Sequence, residues 1–269
     1  MSKRFSLTIC LVVSVAFILA GCKQEIEEEV NVSVPEPQTE RITAPSDSAS
    51  RAIEAAGGLE AWTKTKKLQL DCVVTFYQPD GSFYLTEQSY EVYPLLNSIE
   101  ISAGEPQGRL SWKWSNGQFT VLHGDPAKID DLLQAVGKRC FSQVILNIIT
   151  APARFLDNSV EFTKQTDAVK IQGQWYYRIN RRSMPGIGVT PSLSEEIFYQ
   201  DRDNSLVDMI QHACSNKSRL LAVRGYDYKE VEKGGLLVPA RIEIFSADAR
   251  GDLQKRLVKI DCHGLRYTK

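Results

Sequence analysis

The strongest constraint on this chain is a rhythm of two. Leu68, Leu70, Cys72, Val74 and Phe76 alternate with Gln69, Asp71, Val73, Thr75 and Tyr77, and a run with one apolar and one more polar face is a half-buried strand. Pro79-Asp80-Gly81 supplies turn chemistry before residues 83–93 resume strand character, which predicts a hairpin. Short runs follow at 98–103, 109–114 and 119–122, parted by a Gly-containing stretch at 104–108 and by Asn116-Gly117. An Asn-Gly pair between apolar runs is the strongest short-range hairpin signal there is. Strand-like runs return at about 168–180, 194–200, 206–213, 219–231, 236–246 and 253–265, with 201–205 and Lys233-Gly234-Gly235 as turns. An antiparallel sheet of so many strands twists and curls, and its inner face must be filled.

The helical segments are the obvious filling. Residues 48–67 carry helix formers with Ile53, Leu59 and Trp62 spaced along them, interrupted by Gly57-Gly58. Asp125 is placed to cap a second block, with Pro126 in its first turn. Ile129, Leu132, Leu133, Val136 and Cys140 then recur at helical spacing, and residues 141–149 are apolar nearly all round until Pro152. A segment apolar on every side is expected to be buried on more than one of them. The reading is mainly β (α+β): a curved antiparallel sheet of about 10–11 strands with helices covering its concave face.

Ahead of this domain stand Lys3 and Arg4 and an apolar run, 11–19, too short for a comfortable membrane span and of the length of a secretory signal core. Leu19-Ala20-Gly21-Cys22 resembles the lipobox of bacterial lipoproteins, complete at all four positions. The resemblance implies cleavage before Cys22, diacylation of that cysteine, and attachment to a membrane through its lipid. Lys23 in place of an aspartate just after the cysteine implies outer-membrane destination in a cell with two membranes. Between Cys22 and Asp47 the chain is rich in Glu, Pro, Ser and Thr and poor in aromatics, so it cannot bury enough surface to offset ordering and reads as a tether. The expected organisation is a signal peptide at 1–21, a lipidated cysteine and acidic disordered tether at 22–47, and one β domain at 48–269. The whole chain carries 32 basic and 33 acidic residues. Since the tether concentrates acids, the domain itself is close to neutral and gives no reason to expect nucleic acid.

Catalytic and metal patterns are weak. His123, His212 and His263 are scattered, with no Cys-x-x-Cys, His-x-x-x-His or Gly-x-Ser-x-Gly spacing. Cys262 and His263, neighbours on a strand, should point to opposite faces. Residues 201–205 lack the glycine and the final acid of a calcium loop and read as a turn. The expectation is therefore a non-enzyme without cofactor or metal. Cys72, Cys140, Cys214 and Cys262 permit two disulfides outside the cytoplasm, in three connectivities; Cys72 with Cys262 is one option if the first and last strands meet, and four small core residues are the alternative. Trp112 and Trp114 share one strand face, and Trp175, Tyr176 and Tyr177 add aromatic surface on a later strand. Such faces suit acyl chains, although aromatics also serve as core. Residues 181–193 form an irregular apolar stretch whose Arg181, Arg182, Met184, Ile187 and Val189 are candidates for a lid or contact loop.

The organisation resembles the LolA/LolB-like superfamily. The resemblance rests on residues 55–62 (AAGGLEAW) before the first strand, the hairpin from Ile197-Phe198-Tyr199-Gln200-Asp201 to Leu206-Val207-Asp208, and residues 223–228 (VRGYDY) leading to 238–244 (VPARIEI). It spans most of 48–269 and implies an unclosed half-barrel whose concave face binds acyl chains, other apolar ligands or a lipidated protein. A sensor or scaffold that binds envelope proteins without lipid is the alternative. A hydrolase would need a His to converge on an acid and a nucleophile distant in sequence.

Overall fold

The computed structural model describes residues 39–42, 47–105, 108–157, 160–183, 196–214, 220–231, 235–248 and 251–269. Two short helices, α1 (Asp47–Ala55) and α2 (Leu59–Lys64), precede a meander of β2 (Lys67–Tyr77), β3 (Phe83–Tyr93), β4 (Ser98–Glu105), β5 (Gly108–Ser115) and β6 (Gln118–His123). Three helices follow: α3 (Pro126–Leu132), α4 (Lys138–Ile149) and the single turn α5 (Ala151–Arg154). A second meander comprises β7 (Val160–Ile171), β8 (Gln174–Ser183), β9 (Glu196–Asp201), β10 (Val207–Ala213), β11 (Leu220–Glu230), β12 (Leu237–Ala247) and β13 (Leu253–Thr268). β13 pairs with β2, and the short β1 (Thr39–Ile42) pairs with β7. The result is one antiparallel sheet in the order β1-β7-β8-β9-β10-β11-β12-β13-β2-β3-β4-β5-β6, open at β1 and β6.

Among the described residues the sheet has thirteen strands, against about 10–11 expected from the sequence. Predicted strand 168–180 is a hairpin, β7 turning into β8 at Gln172-Gly173, both in left-handed backbone (φ 48° and 91°). Asn116-Gly117 has the same geometry (φ 48° and 83°), the two-residue turn that matches strand twist. Gln stands where Asn announces such a turn, so the break went unread. The second addition, β1, lies within residues assigned to the tether. Its strand register with Thr163 and its neighbours comes from backbone pairing, which acidic composition does not forbid. Other turns are as predicted: Asp80 Oδ1 accepts from Ser82 N at 2.9 Å, and Asp201 Oδ1 from Asp203 N at 2.7 Å. Of the predicted turn at Lys233-Gly234-Gly235, residues 233 and 234 lie outside the described residues.

Alternation decides which face is buried. Along β2 every second residue from Leu68 to Phe76 is sealed from solvent while those between are half-exposed. One apolar cluster joins these to Trp112, Ile210, Val223, Ile244 and Ile260 from the other strands and to Ile53, Trp62, Ile129, Phe141, Ile145 and Ile149 from the helices. The helices therefore fill the concave side. α4 carries nine buried residues, as a helix apolar nearly all round must. Asp125 caps α3 by accepting from Ala127 N at 2.9 Å, with Pro126 in the first turn.

The α1–α2 corner is held by glycine. Gly58 N donates to Ile53 O at 2.9 Å, and Gly57 sits at φ 113°, a glycine-dependent helix end. A Cβ at Gly57 would lie 2.2 Å from Gly235 O. The chain there is tied to the sheet by Leu237 N donating to Ala56 O at 3.1 Å. Gly57→Ala should therefore cost roughly 1–3 kcal/mol through strained backbone, read as a lowered midpoint in urea unfolding. An unchanged midpoint would contradict this account of the corner.

Candidate functional site

Two places on the concave side combine apolar and polar chemistry. The first is a cleft of about 640 Å³ where α3 meets the sheet. Tyr84, Leu110 and Leu132 form its apolar lining, and Arg109, His123, Lys128 and Asp131 its polar rim. Tyr84 Oη donates to Leu132 O at 2.5 Å, fixing the strand to the end of the helix. Gly124 makes the turn from β6 into α3 at φ 91°; a Cβ there would lie 2.5 Å from Leu110 Cδ2 and 3.2 Å from Arg109 O. An apolar floor under a rim of both charges suits an amphiphile, whose chain seeks burial and whose head stays wet.

The second is a buried polar cluster between α4 and the strands β8, β9 and β10. Register sets Glu196 opposite Arg181 on one side and His212 on the other. Glu196 is sealed from solvent, with Arg181 Nη1 at 3.0 Å, His212 Nδ1 at 3.0 Å, Asn147 Nδ2 at 2.5 Å and Gln143 Nε2 at 3.2 Å. Burial pushes its pKa upward, but the hydrogen bond and charge of His212, with Arg181 and Arg154, outweigh it and hold the carboxyl at about 2. Arg181 also pairs with Asp157 at 3.6 Å. Arg154, buried, has its pKa lowered to about 10 by desolvation and by Arg181; it donates to Pro94 O at 2.6 Å and to Asn97 Oδ1. Beside this cluster the structure joins Cys140 of α4 to Cys214, just past β10, in a disulfide.

The residues singled out from sequence fall as follows. Trp112 is fully buried, its indole N–H donating to Ser142 Oγ on α4 at 3.0 Å, and Trp114 is nearly so. Trp175 is 43 % exposed, with Lys170 Nζ 5.7 Å from its ring, and Tyr177 is half-buried under Lys164 Nζ at 4.1 Å. The two pairs stand on different wings of the sheet, with eight strands between β5 and β8. Arg181, a candidate for the lid or contact loop, lies in β8 and is bound to Glu196, a partner 15 residues away that periodicity alone does not reveal. Arg182 is also in β8, while Met184, Ile187 and Val189 lie outside the described residues. Cys72 and Cys262 face each other across β2 and β13 with Sγ atoms 2.6 Å apart, and burial with the neighbouring thiol pushes the Cys72 thiol up. Cys262 is buried and His263 exposed, as alternation predicts. The site at Glu196 was missed, yet its signal was present: Cys140, Gln143 and Asn147 share a helical stripe, and His212 and Cys214 a strand face.

His212 between Glu196 and two sulfurs is the convergence a hydrolase would require. Here, however, all four residues are buried and the sulfurs are bonded to each other, and they line neither the cleft at α3 nor a second one of about 520 Å³ beside Arg109 and His263. A nucleophile needs access to a reacting atom. Removing the carboxylate would leave Arg181 and His212 without their buried partner. Glu196→Ala should accordingly destabilise the fold by about 3–5 kcal/mol, seen as a lower urea midpoint at neutral pH; a loss below about 1 kcal/mol, the range of exposed pairs, would show that the cluster is wet.

No family model matches the chain, and no curated protein does. Among solved structures, a LolA superfamily protein from Nitrosomonas europaea superposes with a TM-score of 0.53 at 12% identity, covering 82% of this chain and 94% of that one. A DUF1329 family protein from Desulfovibrio piger gives 0.46 at 9% identity, covering 84% and 94%. With its sheet open at both edges and helices filling the concave side, this chain has the LolA-like half-barrel fold.

Proposed function

We propose that this chain is a bacterial envelope lipoprotein whose half-barrel binds an apolar ligand, an acyl chain or a lipidated protein, without catalysing a reaction on it. The observation that carries the reading is the cleft at α3: Tyr84, Leu110 and Leu132 lead from a charged rim into the main apolar cluster. A ligand chain entering there follows the seam between α3 and the concave face, and removing it from water supplies about 25 cal/mol per Å² of apolar surface. The shared half-barrel fold supports the reading, acyl-chain binding being what the LolA/LolB-like resemblance of the sequence implies. The anchor is Cys22, the acidic segment after it is the spacer, and the outer membrane facing the periplasm is the location. In that oxidising compartment Cys72–Cys262 and Cys140–Cys214 are both read as disulfides.

A second reading is a scaffold that binds envelope proteins without lipid. It is favoured by the packing under α4, where Trp112, Phe141, Val144 and Ile145 are wholly excluded from solvent and no described cleft reaches.

The two readings separate in native mass spectrometry of the full chain bearing Cys22→Ala, so that retained lipid is not confused with an anchor. The carrier reading expects co-purifying acyl lipid. It expects that lipid to fall on the order of tenfold, about 1.4 kcal/mol in binding, when His123→Trp or Asp131→Trp plugs the rim at exposed positions. Bare chain mass in repeated preparations would discard the carrier and leave the scaffold.

A further inference from the structure

Three soft or borderline donors converge behind α4. Period two puts His212 and Cys214 on one face, and the first turn of α4 lays Cys140 against them. One ligand atom from each, the two sulfurs and a ring nitrogen, lies within 4.8 Å of the others, and the Cys140 and Cys214 Cα atoms are 5.9 Å apart. Two thiolates and an imidazole at such spacing are the protein ligands of a thiophilic ion with one position left open. Glu196 supplies the usual support. Its Oε1 stands 3.0 Å from His212 Nδ1; with Nδ1–H donating to that carboxylate, Nε2 is the ring nitrogen on which an ion takes a proton's place, and the carboxylate behind the ring fixes that orientation. Asn147 and Gln143 hold the carboxylate in turn.

We propose that when the Cys140–Cys214 bond is reduced, Cys140, Cys214 and His212 bind one Zn²⁺ ion. A dithiol donor supplies the two electrons and two protons that convert the disulfide to two thiols and becomes a disulfide itself. The ion then displaces both thiol protons. Two thiolates and a dication sum to zero charge, so the site adds no net charge to the buried Glu196–Arg181 pair, which a low-dielectric interior would resist. Cys140, 8 % exposed at the start of α4, is the way in. Since the same sulfurs cannot be bonded to each other and to the metal, thiol state switches occupancy. This inference stands independently of the acyl-ligand reading.

The test uses the full chain in a Cys10→Ala, Cys22→Ala background, reduced anaerobically with a phosphine and titrated with Zn²⁺ against a chromophoric chelator. Co²⁺ in a parallel sample reports thiolate ligation through its charge-transfer absorption. One equivalent should bind. Cys72→Ser with Cys262→Ser should keep it, and Cys140→Ser, a conservative change, should cut the charge-transfer band to that of a single thiolate and weaken Zn²⁺ at least about tenfold. The oxidised chain should bind none. Failure of the reduced, folded parent chain to bind, binding that survives Cys140→Ser together with Cys214→Ser, or equal binding by the oxidised chain would each overturn the proposal.

Discussion

The structure depends on the pairing of β2 with β13. Register runs from Lys67 opposite Thr268 to Phe76 opposite Val258, and this seam joins two meanders that otherwise share only the chain between them. Without it there would be two separate curled sheets, each with an uncovered apolar face. With it, strands from both meanders present Leu70, Val74, Ile101, Val223, Ile244 and Ile260 to one space, and α4 lies in that space in contact with β4 and β5 from one wing and β10, β11 and β12 from the other. The long-range seam comes from the ends of the domain, so it forms only after most of the chain exists. Cys72 and Cys262 sit on it, where a covalent bond would constrain a loop of nearly the whole domain.

The helices are core rather than decoration, and that shapes any account of function. Trp112 hydrogen-bonds Ser142, Tyr84 holds the end of α3, and Arg154 pins the turn at Pro94 and Asn97. A cleft for a ligand is present at the rim near α3, where β5 and β6 end the sheet. α4 also contributes residues both to the apolar interior and to the buried ion cluster. Phe141, Val144 and Ile145 belong to the first, and Gln143 and Asn147 to the second. A single helix thus has two different tasks.

Much of this was legible in the chain because it rests on local rules. Alternation along 68–76 identified β2 and its buried face, Pro79-Asp80-Gly81 and Asn116-Gly117 marked hairpins, and Asp125-Pro126 began α3. What escaped was either chemically understated or nonlocal. Gln172-Gly173 makes the same turn as Asn116-Gly117 with a less telling side chain. β1 is recruited by backbone hydrogen bonding, which leaves no mark in composition. Arg181 reads as a solvated arginine until β9 brings Glu196 beside it, and Trp112 reads equally well as ligand surface or as core until α4 is placed. The convergence of Cys140, His212 and Cys214 depends on a helix–strand docking that spacing alone does not encode, although each half of it was visible as a shared face.

The central claim is that the rim between α3 and the sheet is where an apolar ligand enters. Hydrogen–deuterium exchange on the full chain, with and without a long-chain fatty acid, tests it most directly. Protection should rise in α3, β5 and β6 and stay unchanged across β9 and β10. No change anywhere, or protection confined to the second wing, would contradict it.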